Sequence, residues 1–120
     1  MKYSINLEQN IINCEFNGLI NPKDLVAFIT DIRNDPSFHK KLNTIADFRN
    51  ATISKDYIEI SMIADYVQAT AKERGDFKLA VICGPEVINS ASLFKSLASD
   101  KHIKVCINDT EANEWVGESC

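Results

Sequence analysis

The chain is poor in the residues that announce common chemistries. It holds four glycines, three prolines and one tryptophan in 120 residues. Neither G-x-G-x-x-G nor G-x-x-x-x-G-K-[ST] can be found in it, which removes the standard glycine-rich phosphate loops. His39 and His102 stand alone, with no second ligand at helical or hairpin spacing, so they read as solvated side chains and no metal or other cofactor is expected. Excess positive charge is also missing: 13 Lys and Arg face 17 Asp and Glu, a formal net charge of −4. No dense basic cluster offsets this, so nucleic acid is not an expected partner.

Long apolar runs are absent too. No stretch approaches the roughly 18 apolar residues of a membrane span. The opening MKYSINLEQN turns polar before an apolar run of signal-peptide length can form, so a cytoplasmic location is expected. The cysteines Cys14, Cys83, Cys106 and Cys120 form no C-x-x-C pair, and the first three sit in apolar β-like runs, which reads as buried free thiols. Cys120, as the final residue given, reads as exposed.

What is present is globular. Apolar residues make up 45% and charged residues 25%, enough for one packed core, and 1–120 reads as a single domain. Tyr3 to Leu7 and Ile11 to Phe16 are β-like runs joined by Glu8-Gln9-Asn10, a connector short enough for an antiparallel hairpin. After Gly18, Asn21-Pro22 supplies a helix cap and a proline for the first turn, and Leu25, Phe28, Ile29 and Ile32 follow at helical spacing to about Asn34-Asp35-Pro36. Thr44 to Phe48 suits a buried strand whose carboxyl end is Asp47-Phe48-Arg49. Ser54 is read as the cap of a long helix to Arg74, with Gly75 as its left-handed stop. Leu79 to Cys83 has the continuous apolar character of a parallel strand buried on both faces. Gly84-Pro85 then turns into a helix over about Glu86 to Ser99. Ile103 to Ile107 is another strand, and Asp109 is read as the cap of a short last helix carrying Trp115 as a clasp over the sheet edge.

The resulting order, ββαβαβαβα, implies an α/β fold in which helices cover one mixed sheet that opens with a hairpin. The hairpin-Gly-helix opening, the Asp35-Pro36-Ser37-Phe38 turn, the strand Ile45-Ala46-Asp47-Phe48-Arg49 and the strand Leu79-Ala80-Val81 together resemble the SpoIIAA-like branch of STAS-like domains, from Tyr3 to Val116. The resemblance implies a mixed sheet with packed helices and a non-enzymatic role in binding a partner or small molecule; lipid-binding relatives extend this to apolar ligands. Anti-sigma-factor antagonists of this kind switch by phosphorylation of a serine in a D-S-S-G-L motif. Here the comparable stretch is Ile53-Ser54-Lys55-Asp56-Tyr57, with one serine, no glycine and a lysine in place of the second serine.

Two surfaces stand out. Ligands of open α/β sheets bind at the carboxyl ends of the strands, which brings forward Asp47, Arg49, Ser54, Gly84 and Glu86 as a ligand site, with helix starts at Ser54 and Glu86 suited to an anion. The plain alternative is a cap, a turn and a local ion pair. The second surface lies on the long helix. At about 100° per residue, Ile60, Ile63, Ala64, Val67 and Ala71 form a core stripe, whereas Ile58, Met62, Tyr66 and Ala69 form another, nearly opposite. That second stripe suggests a protein partner or self-association, as in a dimer. Its competing explanation is packing under an Asn50-Ala51-Thr52 loop or a neighbouring helix.

Three functions follow in order. The first is a non-enzymatic regulatory or scaffolding module acting by protein contacts. The second is a binder of a small apolar or anionic molecule at the strand ends. The third is an enzyme with Asp47 or Glu86 as general base, which lacks a positioned nucleophile, metal or cofactor to complete it.

Overall fold

Alternating apolar residues at the start of the chain form the expected hairpin: β1 (Lys2–Asn6) pairs antiparallel with β2 (Ile11–Ile20), with Tyr3 opposite Cys14 and Ile5 opposite Ile12. The computed structural model describes residues 1–39, 41–53, 56–74, 77–84, 92 and 103–117. Asn10 closes the hairpin turn with φ 61°, a left-handed conformation that asparagine tolerates better than most side chains. The same residue fixes the entry to the next strand, because its carbonyl accepts the Asn43 N–H at 3.0 Å and its side-chain amide donates to the Lys41 carbonyl at 3.1 Å.

The remaining strands are β3 (Asn43–Ile53), β4 (Leu79–Ile82) and β5 (Ile103–Cys106), and the helices are α1 (Pro22–Arg33), α2 (Tyr57–Arg74) and α3 (Asp109–Gly117). The sheet runs β1-β2-β3-β4-β5, with every pair from β2 onward parallel. This is the expected mixed α/β sheet opened by a hairpin, in the order ββαβαββα among the described residues. The helix expected over residues 86–99 falls almost wholly on residues 85–91 and 93–102, outside the described residues, as do Ser54, Gly75, Glu86, His102 and Cys120. The radius of gyration, 13.1 Å, matches what one compact domain of this length requires.

β2 and β3 are longer than their apolar runs. Pairing continues from Asn17 opposite Asn50 to Ile20 opposite Ile53, so Asn50-Ala51-Thr52 is strand and not the expected loop. Continuation requires Gly18, whose φ of +73° is open to few other residues. It also requires a bulge: Glu15 lies opposite Asp47 but Asn17 lies opposite Asn50, so β3 spends one more residue than β2 on this step. Ala46 and Phe48 face the main core before the bulge, and Ala51 faces it afterwards, so the extra residue reverses the parity of the strand.

The two faces of the sheet carry separate cores. On one, Leu25, Phe28 and Ile32 of α1 and Ala64 of α2 pack on Ile12, Cys14, Phe16, Phe48 and Val81. Phe16 stacks on Phe48 at 4.2 Å and meets Phe28 edge-on at 5.2 Å, which joins β2, β3 and α1 through three rings. On the other face, Ala112 and Val116 of α3 cover Ile11, Ile45, Ala80, Ile82 and Cys106, with Trp115 packed beside them.

Capping explains where the helices begin. Asn21 accepts the Asp24 N–H at 2.8 Å and Pro22 opens the first turn of α1, as read from the sequence. For α2 the cap is Asp56, whose carboxylate accepts the Ile58 N–H at 2.8 Å, and not Ser54. For α3 it is Asn108, which accepts the Glu111 N–H at 2.8 Å, and not Asp109. Both corrections follow one pattern, an Asp or Asn with Glu three residues later. The far end of α3 is held by side chains of the sheet: Lys78 Nζ donates to the Trp115 carbonyl at 2.9 Å, and Asn43 Nδ2 donates to the Val116 carbonyl at 3.0 Å. These satisfy carbonyls that a helix terminus leaves without partners.

Candidate functional site

β3 runs on to Ile53 past Asp47, its last residue paired with β4, so the carboxyl end of β4 lies beside the bulge in the middle of β3 and not, as expected, beside the strand's end. A Cβ built on Gly84 would lie 3.4 Å from the Arg49 carbonyl oxygen, so Arg49 and Gly84 share one rim. The bulge places Arg49 there. Asp47 Oδ1 accepts the Arg49 backbone N–H at 3.0 Å, giving a partner to an amide that the bulge takes out of the regular ladder, and also accepts Nε at 3.0 Å. Arg49 Nη2 donates to Asp47 Oδ2 at 2.8 Å and reaches both oxygens of Asp109 at 3.1 Å.

The rim is therefore one guanidinium shared by two carboxylates. Hydrogen bonding from Arg49 holds the Asp47 carboxyl below its ordinary range, against an opposing push from burial. The Arg49 guanidinium is in turn held more firmly protonated, first by its hydrogen bonds to Asp47. The group carries more negative than positive charge, and Nε and Nη2 of its arginine are engaged, which suits an internal tie better than a cradle for an anion. Asp109 is the member that the sequence reading missed. Once Asn108 takes the capping role, the Asp109 carboxylate at the first helical position is free to reach across to β3. Ser54 and Glu86, the other residues placed in this site from sequence, lie outside the described residues.

Behind the rim, Cys83 is buried, and desolvation pushes its thiol up to about 11. Cys83 belongs to the core on the α1 and α2 face and Cys106 to the core on the α3 face, so the sheet separates their side chains. Cys14, Cys83 and Cys106 all lie in buried positions. Among the described residues no cluster of His, Cys, Asp or Glu could hold a metal ion.

The second surface is α2. Its inner stripe is core: Ile60 and Ala64 are buried, and Ile63 and Val67 pack against the same cluster. On the outer side Ile58 is 69% exposed and Met62 60% exposed, with Ala69 also in solvent. Tyr66 is different. It is half-buried, and its hydroxyl lies 3.2 Å from Thr30 Oγ1 of α1, so this ring belongs to the seam between the two helices. The stripe thus divides into an open pair, Ile58 and Met62, and a residue that packs on a neighbouring helix.

No helix among the described residues is long and apolar enough to cross a membrane. No known protein family, curated protein or solved structure matches this chain.

Proposed function

We propose that the chain is a non-enzymatic regulatory or scaffolding domain of the STAS-like kind, acting by protein contacts through the outer side of α2. The observation that carries this reading is the exposure of Ile58 and Met62, one turn apart, on a helix whose opposite stripe already supplies its core packing. Fully burying such a side chain contributes about 1.5–3 kcal/mol, so the pair offers about 3–6 kcal/mol before the entropic cost of association. That magnitude suits a transient contact, strengthened by flanking polar residues, and falls short of an obligate interface. A ligand at the rim is less well supported, because Arg49 already donates to Asp47 and Asp109.

Photo-crosslinking amino acids at positions 58 and 62, introduced into the full chain in its source cells, test the proposal. Discrete crosslinks to another protein are expected from both positions and not from Asn13, which is exposed on the other face of the sheet. Crosslinks from position 13 alone, or none from 58 and 62, would refute it.

A further inference from the structure

We infer that Asn17-Gly18 is a site of covalent modification, at which water alone converts the asparagine to aspartate and isoaspartate. Asparagine followed by glycine occurs once in the sequence. The nucleophile is the Gly18 backbone nitrogen, and a residue without a Cβ leaves its approach to the Asn17 carboxamide unobstructed. That nitrogen forms a bond to Asn17 Cγ, the Cγ–Nδ2 bond breaks, and ammonia leaves with the proton of the Gly18 amide. Water then opens the cyclic imide. Addition at Cγ restores an ordinary chain with a carboxylate side chain at position 17. Addition at the main-chain carbonyl leaves isoaspartate, in which the backbone runs through Cβ and Cγ.

The tertiary structure singles out this asparagine. The carboxamides of Asn6, Asn10, Asn21, Asn43, Asn108 and Asn113 are engaged in hydrogen bonds. Asn17 is exposed, and among the described residues no hydrogen bond holds its side chain. A Cβ built on Gly18 would meet no atom within 4 Å, so the attacking side is open. The backbone here is also the least supported part of the sheet. β1 has its last partner on β2 at Glu15, and β4 has its last partner on β3 at Asp47. From Asn17 to Ile20 and from Asn50 to Ile53, β2 and β3 therefore pair only with each other among the described residues, beyond the bulge. A two-stranded ribbon is marginal by itself, and its local opening supplies the rotation of the Asn17 backbone that ring closure needs.

The product acts on the fold. Isoaspartate adds one atom to the β2 backbone, which fits neither the register before the bulge nor the register after it. The pairs from Gly18 opposite Ala51 to Ile20 opposite Ile53 then lose alignment, and Ile20 is drawn out of the main core. Conversion is a one-way release of the extension.

The test holds the full chain for weeks in mildly alkaline buffer at body temperature and maps its peptides by mass spectrometry, with isoaspartate distinguished by fragmentation. We expect Asn17 to convert ahead of Asn13, Asn34 and Asn50, which are exposed with equally free side chains, and isoaspartate to be the larger product. Hydrogen exchange should then find the amides of residues 18–20 and 51–53 unprotected in the converted chain. They should stay protected in freshly made Asn17→Asp, which carries the same charge on an ordinary backbone. No conversion of Asn17, earlier conversion of Asn13, Asn34 or Asn50, aspartate without isoaspartate, or equal protection in the two chains would overturn the inference.

Discussion

The Arg49 carbonyl lies against Gly84, where a methyl group would meet that oxygen at 3.4 Å, so the residues just past β4 run beside the bulge in the middle of β3. From this point the Arg49 side chain reaches α3 through Asp109, so one residue connects two strands and a helix. The first expectations concern that tie.

Arg49→Met removes the partner of a carboxylate that is only 22% exposed, whereas Asp109→Asn removes one that is 65% exposed. A partly buried acid that loses its charged side-chain partner and keeps only the backbone N–H of residue 49 costs about 1–3 kcal/mol, and an exposed ion pair is worth about 0–1 kcal/mol. Urea unfolding should therefore rank Arg49→Met as clearly destabilising and Asp109→Asn as nearly neutral. The opposite ranking would locate the strength of the tie at α3.

Acid sensitivity follows from the same pair. Hydrogen bonds from Arg49 depress the Asp47 carboxyl in the folded state, so its contribution is complete above the ordinary unfolded value, about 3.9, and is lost as pH falls through the lower folded value. Melting temperature plotted against pH should fall over that acid window in the wild type and fall less steeply there in Arg49→Met, where Asp35 still titrates low.

Asp35 offers a separate reading of hydrogen-bond control. Its carboxyl is held low first by the Tyr3 hydroxyl at 2.6 Å and then by the Ser37 N–H. In Tyr3→Phe the Asp35 titration, followed by NMR, should move upward toward the ordinary range. An unmoved titration would show that the Ser37 amide alone sets it.

Cys83, pushed up to about 11 by burial, remains a protonated thiol near neutral pH. Iodoacetamide at pH 8 should leave the Cys83 peptide unmodified in the native protein and label it in urea, as read by mass spectrometry. Rapid native labelling would mean that the β4 end opens readily.

The two sides of α2 should respond oppositely to charge. Met62→Asp should change unfolding stability by no more than about 0.5 kcal/mol, as expected of an exposed position away from special contacts. Ala64, 1% exposed, should not tolerate aspartate, and Ala64→Asp should unfold the chain or cost several kcal/mol through a buried unpaired charge. Tyr66→Asp would disturb the contact with Thr30, so Met62 is the cleaner probe of the outer surface.

Much of this arrangement is legible in local pattern. Asn21-Pro22 marks the start of α1, the spacing of Ile60, Ile63, Ala64 and Val67 marks the buried side of α2, the apolar run of β4 marks a strand covered on both faces, and that of β5 marks a further strand. The Asp56 and Asn108 caps were also readable, through the glutamate three residues beyond each, but Ser54 and Asp109 offered competing side chains of the same kind. The extension of β2 and β3 was not readable, because Asn17-Gly18 and Asn50 carry turn chemistry and become strand only by pairing with each other.

The sequence by itself determined the strands and helices that the structure describes, the inward sides of α1 and α2 and the excess of negative charge, since these depend on spacing and residue type along a few turns. Only the tertiary structure decided that Arg49 would be shared between Asp47 and Asp109 and that Tyr66 would leave the outer stripe for Thr30. Each of those outcomes depends on which side chain comes within hydrogen-bonding distance after the elements pack, and a one-residue bulge is enough to change it.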